Sequence, residues 1–475
     1  MQTLTTSSAS APAQSNEEID QATLRKVILA ASLGTLFEWY DFYLYGSLAV
    51  FFGSLFFPST NETAQLLASL ATFGAGFGVR PLGAIVFGHL GDLVGRKYTF
   101  LVTMATMGLG TAFIGLLPTY ASWGLFATVT LVLLRLLQGL ALGGEYGGAA
   151  TYVAEHVPDA KRGYYTSYIQ TTATLGFFLS MGVIGGTRVW LGEDDFKAWG
   201  WRIPFLLSFV LLAVSLYIRV RMEESPLFAK MKRAGKTSVN PLKESFANPV
   251  NRRYVLIALF GAAAGQGVVW YTGQFYALTF LQTTLKLDWK TAYTLISIAL
   301  AVSTPLFLVF GALSDKIGRK VIMLSGCLLG ALTYVPIYMG LKAFSNPDLL
   351  PVADPAQLQF WPMVGLLTLQ MIYVCMVYGP IAAFLVELFP TRIRYTSMSL
   401  PYHLGNGWFG GFLPLIATAV TSSAWAKETF GANAIYTGLI YPIGICVLTL
   451  VVGGLMIRET RERRIDSDAL DPSGQ

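Results

Sequence analysis

Long apolar segments constrain this sequence more than any other feature. A helix needs about 20 mostly apolar residues to cross a bilayer, and twelve segments of the chain approach or exceed that length. They cover residues 25–53, 64–90, 97–117, 122–154, 164–191, 200–221, 252–282, 289–313, 320–342, 361–387, 396–421 and 433–457. Only 13% of the 475 residues are charged, against about 25% in soluble domains. We therefore predict an all-α membrane protein with twelve transmembrane helices, called spans 1 to 12.

Polar segments divide these spans into two groups of six. Residues 222–251 form the longest polar interior segment, and we predict that they are a central cytoplasmic loop. This loop separates an N-terminal bundle, residues 25–221, from a C-terminal bundle, residues 252–457. Residues 1–24 lack the basic and then apolar pattern of a cleavable signal peptide, so we expect a disordered cytoplasmic tail. Residues 458–475 are predicted to be a second cytoplasmic tail.

Basic residues indicate the orientation of the chain. If both termini are cytoplasmic, most of the 33 lysines and arginines fall on the cytoplasmic side, as the positive-inside rule requires. This distribution accounts for the net charge of +6 without a nucleic-acid partner. Trp190, Trp199 and Trp201 fall at outer helix ends, where an aromatic belt is expected. We predict a multi-pass protein of the inner (plasma) membrane, with the lipid bilayer as its surroundings.

Two loop motifs occur once in each half of the chain. GHLGDLVGRK at 88–97 follows span 2, and GALSDKIGRK at 311–320 follows span 8. A second pair follows spans 4 and 10. Its matching residues are Glu155, Pro158 and Arg162 in the first half, and Glu387, Pro390 and Arg394 in the second. Because even-numbered spans match even-numbered spans, the two halves are expected to run parallel across the membrane.

These paired motifs resemble the hallmark of the major facilitator superfamily. The resemblance implies two six-helix bundles around a central cavity, and loop charges that latch one conformation of the transporter. The latch residues would be Asp92, Arg96, Glu155, Arg162, Asp315, Arg319, Glu387 and Arg394. The alternative is that these charges are topology signals and surface salt bridges, each contributing about 0–1 kcal/mol.

The first half has a closer resemblance. FEWYDFYLYG at 37–46, GVRPLG at 78–83, RLLQGLALGGEYGGA at 135–149 and WGWRIPF at 199–205 are similar to the metabolite:proton symporter family. The second half matches that family mainly through its loop motifs. The resemblance implies import of a small organic acid or zwitterion together with a proton, by alternating access. Shikimate-, dicarboxylate-, citrate- and betaine-like solutes are the expected classes.

Several ionisable residues of the first half fall at membrane depth. They are Glu38, Asp41, Arg80, Arg135 and Glu145. A charge at mid-bilayer costs several kcal/mol unless it is paired or hydrated, so these residues are candidates for a functional site. Glu38, Asp41, Arg80 and Glu145 are candidates for proton coupling, and Arg80 and Arg135 for holding a substrate carboxylate through the bidentate guanidinium. The alternative is static ion pairs that fix helix packing, such as Asp41 with Arg80.

The second half carries polar and aromatic residues instead of charges. Gln266, Trp270 and Gln274 form one helical stripe in span 7, and Tyr378, His403 and Asn406 lie in spans 10 and 11. These six residues are candidates for substrate binding. The alternative is helix–helix contacts, because polar side chains in lipid must find partners. His403 is also a candidate proton relay, unless it is an ordinary helix contact. We hypothesise that the first half handles charge and the second recognises the shape of the solute.

Other classes of function have less support in the sequence. No metal cluster, phosphate-binding loop or nucleophile motif is present, and Cys327, Cys375 and Cys446 are isolated in apolar segments. We expect no cofactor, no metal and no enzymatic activity, and a monomer whose partners are a small organic metabolite and a proton. Two alternatives remain open: a proton-independent uniporter of the same fold, and a non-transporting membrane sensor, for which the tails are short.

Overall fold

The described part of the chain is entirely built from helices, turns and loops. The computed structural model describes residues 21–94, 96–144, 146–220, 241–390, 393–463 and 465. No β-strand occurs within these ranges. The predicted all-α fold is therefore confirmed. We call the end of the bundle where α1 begins the inner end, following the predicted topology, and the opposite end the outer end.

Six long helices form the first half. Their bounds are α1, Gln21–Ser47 and Ala49–Phe56; α2, Glu62–Gly78 and Arg80–Val94; α3, Arg96–Leu116; α4, Leu125–Gly143 and Tyr146–Glu155; α5, Arg162–Leu191; and α6, Arg202–Leu206 and Ser208–Val220. The short connecting helices are Tyr120–Trp123, Asp159–Lys161, Glu193–Asp195 and Phe196–Gly200.

Six more helices form the second half. Their bounds are α7, Pro249–Ala258, Leu259–Ala263, Ala264–Tyr271, Thr272–Tyr276, Ala277–Thr279 and Phe280–Thr284; α8, Trp289–Ser303 and Leu306–Ile317; α9, Arg319–Ala343; α10, Phe360–Tyr378 and Ile381–Leu388; α11, Arg394–Leu404, Gly405–Gly411 and Leu413–Ser422; and α12, Ile440–Met456. The short connecting helices are Pro241–Ala247, Pro355–Gln357, Ala424–Phe430 and Gly431–Leu439. Three five-residue π-helical segments interrupt α7, and a seven-residue one interrupts α11.

Each of the twelve predicted spans coincides with one of α1 to α12. Among the described residues, eight helices are long and apolar enough to cross a membrane, or nine if the bent pair that includes α6 is one span. The helices α1, α3 and α11 do not reach that threshold. The apolar part of α3 is short, Leu101–Leu116, whereas α1 and α11 carry the polar and ionisable residues of the candidate site.

Glycines allow α2 and α4 to pack closely. A β-carbon built at Gly139 would lie 1.7 Å from the carbonyl oxygen of Gly76, and one at Gly143 would lie 2.1 Å from that of Arg80. No side chain fits at these distances, so the helix backbones touch at small residues. The contact at Gly143 fixes the backbone of Arg80 against α4.

The two halves meet along α5 with α8 and along α2 with α11. The helices α7 and α10 are mostly buried between their neighbours, whereas less than a third of α12 is buried. Exposed large apolar side chains, such as Leu125, Val189 and Leu455, form the kind of surface that lipid covers.

The expected belt of tryptophans is only partly present. Trp190 and Trp199 are exposed, but Trp201 is fully buried, so its placement in the belt was wrong. Its indole packs edge-on against Phe52 and Phe56 of α1. Helix-end position predicts depth in the membrane, but it does not specify whether a side chain points outward.

Candidate functional site

The guanidinium group of Arg80 lies in the centre of the bundle. Its carbon is 5.4 Å from the ring centre of Trp39, 5.3 Å from that of Phe77 and 6.0 Å from that of Tyr402. The side chain is fully buried. Within the described part of the chain, none of its three nitrogens hydrogen-bonds to a protein atom. Arg80 is thus a cation surrounded by aromatic faces, and its nitrogens donate to no acceptor among the residues that the structure describes.

An aromatic layer covers this centre on the outer side. Tyr43 of α1 stacks on Trp270 of α7, with their ring centres 5.2 Å apart. Phe275, further along α7, packs against Tyr43 and against Phe73 of α2, in each case with ring centres 5.0 Å apart. Because these rings come from both halves, the layer closes the centre from the outer end.

A second aromatic layer lies on the inner side. Tyr146 of α4 and Tyr402 of α11 stack face to face, with ring centres 3.4 Å apart. The hydroxyl groups of Tyr402 and Tyr378 are 2.8 Å apart, and the Gln170 amide donates to the Tyr146 hydroxyl at 2.6 Å. A helix rises about 1.5 Å per residue. Measured along its own helix from the inner end, Tyr402 therefore lies at a depth of about 12 Å, Arg80 at about 21 Å and Trp270 at about 32 Å. Arg80 is therefore enclosed between the two layers.

Asp41 lies on a different side of α1 from the centre. Its carboxylate is buried and accepts a hydrogen bond of 2.5 Å from the hydroxyl of Ser208 in α6. No ion pair joins it to Arg80 in the described structure, so the static pair weighed in the sequence is not present. Burial penalises the charged form of this carboxylate, and the hydrogen bond from Ser208 offsets part of that penalty.

The structure describes only some of the other candidates for proton coupling. Glu38 is buried one turn before Asp41. Glu145, and the side chains of Asp92 and Arg96, lie outside the described residues. Their predicted roles therefore stay predictions.

Arg135 is held by protein groups of the first half. Its guanidinium donates to the carbonyl oxygen of Phe42 at 3.2 Å and to the side chain of Gln138 at 2.8 Å. It also lies over the ring of Phe42 at 4.2 Å and over that of Tyr45 at 4.7 Å. These contacts tie α4 to α1, which favours a packing role over substrate contact.

Polar residues of the second half differ in how their groups are used. Gln266 and Asn406 form a reciprocal amide pair, with bonds of 3.1 and 2.8 Å. This pair joins α7 to α11, as expected of helix contacts. Gln274 donates across the half interface to Thr174 of α5 at 3.4 Å, and its carbonyl oxygen has no hydrogen-bond partner in the described structure.

Two further central groups have unused polar atoms. Both ring nitrogens of His403 and the indole nitrogen of Trp270 are buried without a hydrogen bond to the described residues. His403 follows Tyr402 directly, and Trp270 lies in the outer aromatic layer. Buried polar groups are normally hydrogen-bonded. Arg80, His403 and Trp270 thus share buried polar atoms without hydrogen bonds in the described part of the chain.

Charged residues join the halves at the inner end. Glu387 of α10 is buried and accepts hydrogen bonds from Arg162 of α5 at 3.0 Å and from Arg319 of α9 at 3.0 Å. Arg162 belongs to the first half, and Arg319 to the second. The predicted charge network thus contains an ion pair that crosses the half interface.

Two other contacts cross the interface near Glu387. The carboxylate of Asp315 accepts from the backbone amides of Gly163 at 2.8 Å and Tyr164 at 2.9 Å, at the beginning of α5. Carboxylates are favoured at helix N-termini. Arg394 of the second half forms an ion pair with Glu155 of the first at 3.7 Å. Six of the eight predicted latch residues therefore lie together.

The chain after α12 adds residues that sequence reasoning missed. Thr460 donates to Glu387 at 2.7 Å, and Glu459 accepts from the backbone amides of Arg319 and Lys320 at 2.9 and 3.1 Å. The carbonyl oxygen of Ile465 accepts from Arg394 at 2.7 Å. This segment was interpreted only as a polar tail. Its clustered charges, RETRER, were the available signal.

Other residues of the site were also missed in the sequence. Ser208, Thr174, Tyr146 and Gln170 each contact a candidate residue or complete an aromatic layer. Tyr146 lies in a motif examined for its glycines and Glu145. A serine, threonine or glutamine in an apolar helix gives no sequence signal that identifies its partner.

A water-accessible cavity opens between the halves at the outer end. Its volume is about 410 Å³. Its walls are the outer ends of α1 and α2 from the first half, and of α7 and α11 from the second. The inner end is thus bridged by ion pairs, while part of the outer end is open.

Comparisons with known proteins agree with this architecture. The family model described as Major Facilitator Superfamily matches residues 31–400. The chain is similar to the inner membrane metabolite transport protein YhjE of Escherichia coli K12, with 36% identity over 93% of this chain and 95% of that protein. It is also similar to the proline/betaine transporter of Salmonella typhimurium, with 33% identity over 94% of this chain and 85% of that protein.

A solved structure has the same fold. The D-xylose-proton symporter superposes with a TM-score of 0.66 and 19% identity, over 92% of this chain and 98% of that one. At this identity the likeness concerns the fold alone, and it matches the two six-helix halves.

Proposed function

The chain belongs to the Major Facilitator Superfamily, among its metabolite transporters, and from this premise we propose that it moves a small carboxylate-bearing solute together with a proton. The proposed location is an inner membrane, with both termini cytoplasmic. Transport is by alternating access, and no enzymatic activity is assigned. The observation that carries the proposal is the buried guanidinium of Arg80.

Arg80 is proposed to bind the carboxylate of the solute. Removing an arginine side chain from water costs several kcal/mol unless its charge and donors are satisfied. Trp39, Phe77 and Tyr402 supply aromatic faces, which offset part of this cost. The guanidinium edge has no hydrogen-bond acceptor within the described ranges of the chain. A carboxylate is the group that fits this edge, through two parallel hydrogen bonds.

The remainder of the solute is proposed to contact the second half. Trp270, Gln274 and His403 present buried polar atoms without partners among the described residues, as well as aromatic surface. A cationic ammonium group is attracted to aromatic faces, so a zwitterion fits this centre well. The similarity to a proline/betaine transporter supports the same class. Gln266, Asn406 and Tyr378 then shape the site through the helices they join.

Asp41 is proposed to carry the proton. Its buried carboxylate has a hydroxyl donor, Ser208, and it forms no ion pair in the described structure. Binding of a proton removes the penalty that burial places on the charge, which the hydrogen bond from Ser208 offsets only in part. Because Ser208 is on α6 and Asp41 on α1, a change in protonation acts on the packing of two helices in the first half. Glu38 is retained as a second candidate.

The inner charge network is proposed to latch the state in which the outer cavity is open. Glu387 pairs with Arg162 across the halves, and Asp315 holds the beginning of α5. The halves cannot separate at the inner end while these contacts remain. Alternating access requires that they break once the solute and the proton are bound.

The first prediction concerns this latch. Glu387→Gln removes the charge that pairs with Arg162 and Arg319, and breaking a buried pair costs about 3–5 kcal/mol. We expect the inner end to open more often. Thr151, which is buried against Met398 of the other half, reports on this opening. A Thr151→Cys protein should react at least about tenfold faster with a maleimide when Glu387→Gln is also present, since 1.4 kcal/mol is a factor of ten.

A matched control is Glu462→Gln, because Glu462 is exposed and its one ion pair among the described residues is with Arg461. It should leave the maleimide reaction at the rate of the Thr151→Cys protein. Equal rates in the Glu387→Gln and Glu462→Gln backgrounds would show that the charge network is not a latch.

The solute class is tested by competition in proteoliposomes. Counterflow of a labelled zwitterion is measured against glycine betaine, proline and shikimate, each compared with its amide. Carboxylates should compete, and the amides should not, because an amide cannot form the charged bidentate contact with Arg80. If the amides compete as well as the acids, the assignment of Arg80 fails.

A further inference from the structure

The outer cavity has features of a binding site in its own right. Its volume of about 410 Å³ falls within the range of about 300–1,000 Å³ that is typical of small-molecule sites. It is separated from the site at Arg80 by the aromatic layer of Tyr43, Trp270 and Phe275. Molecules in the two spaces therefore occupy different places.

The lining of this cavity is polar. Most of its side chains carry a hydroxyl or an amide group, among them Thr63, Gln65, Thr283 and Thr421. The lining also includes the aromatic residues Tyr276 and Phe280 of α7. Hydroxyl and amide groups give a polar solute hydrogen bonds to replace those of water.

Two opposite charges line the cavity from opposite halves. Glu62 is at the beginning of α2, and Lys286 follows α7. Both side chains are exposed, and neither belongs to an ion pair in the described structure. Their charges are therefore available to a ligand.

The backbone conformation of Lys286 supports the interpretation of this cavity as a binding site. Its φ of 56° lies in the left-handed region, which costs a residue other than glycine about 1–2 kcal/mol. The carbonyl oxygen of Lys286 accepts a hydrogen bond from the amide of Ala353 at 3.3 Å. Strained backbone persists where the surroundings hold it, and it is concentrated at functional sites.

We propose that this outer cavity is a second binding site for a small zwitterion. The ammonium group of Lys286 binds the carboxylate of the ligand, and the carboxylate of Glu62 faces its cationic group. A simple anion would meet repulsion from Glu62, and a simple cation would meet repulsion from Lys286. The site would hold the solute before the aromatic layer admits it. The ligand class rests on the proposed function, whereas the site itself does not depend on Arg80.

Equilibrium binding to the purified full chain in nanodiscs tests this inference. The probes are labelled glycine betaine and labelled proline, and the readout is the number of molecules bound per chain. We expect two for at least one probe. Arg80→Gln should remove one of them, and Lys286→Gln should weaken the other at least tenfold. The Arg80→Gln, Lys286→Gln double variant should retain only the weakened outer site. Glu62→Gln should weaken the same outer site as Lys286→Gln.

The control is Lys290→Gln, because Lys290 is an exposed lysine of α8 outside the cavity lining. It should leave both sites intact. The proposal is overturned if neither probe shows a bound molecule that depends on Lys286 and Glu62. A failure of Arg80→Gln to remove a site would instead contradict the central site. The two results are distinguishable, because each variant reports on one of the two proposed sites.

Discussion

Arg80→Gln is expected to reduce the transport efficiency for the solute, kcat/KM, by about 30-fold or more, since truncating one partner of a buried charge pair costs about 2–5 kcal/mol. Glutamine is shorter and uncharged, so the carboxylate of the solute would lose both the charge and the bidentate contact. Initial uptake rates in proteoliposomes, over a range of solute concentrations, give this value directly.

The same assay distinguishes the contribution of the positive charge of Arg80 from that of its planar, bidentate guanidinium group. Arg80→Lys keeps the charge but loses the planar fork, so its efficiency should fall between those of the original chain and Arg80→Gln. The control is Arg252→Gln, because Arg252 is exposed on the first turn of α7, far from the centre. If Arg80→Gln transports as well as Arg252→Gln, Arg80 does not hold the solute.

Asp41→Asn is expected to abolish concentrative uptake while solute exchange continues. Asparagine has nearly the same shape and can still accept a hydrogen bond from Ser208, but it cannot release a proton. The internal solute concentration should therefore stop rising when it equals the external one. Accumulation under an imposed pH gradient and counterflow without a gradient are measured on the same vesicles.

Ser208→Ala is the matched control for Asp41. It removes the hydroxyl donor but leaves the carboxylate, so accumulation should persist with a changed dependence on external pH. Full accumulation by Asp41→Asn would assign the proton to another residue. Glu38→Gln would then be the next variant to measure.

The sequence predicted the helices of this fold because membrane depth depends on composition. An apolar segment of sufficient length spans the bilayer, and this does not depend on how the neighbouring helices pack. The twelve predicted segments therefore coincide with α1 to α12, although α1 and α11 are more polar than most of the other spans. The paired loop motifs also led to the inner charge network, because their spacing places charges just beyond the helix ends.

The partners of each residue were harder to predict. Helical spacing places Asp41 and Arg80 at similar depths, but it does not specify which neighbouring helix each side chain faces. In the structure Asp41 faces Ser208, and Arg80 lies among aromatic rings. Gln266 and Gln274 share a helical stripe, yet Gln266 binds Asn406 and Gln274 binds Thr174. Such differences arise from helix rotation and from the packing of the two halves.

Uptake by proteoliposomes with an imposed pH gradient tests the central claim most directly. Vesicles that are alkaline inside, loaded with the unmodified chain, are given a labelled carboxylate solute with and without a protonophore. Coupled transport predicts that the solute rises above its external concentration and that the protonophore abolishes this rise. Uptake that only equalises the two concentrations, at the same rate with and without the gradient, would contradict the account and identify a facilitator.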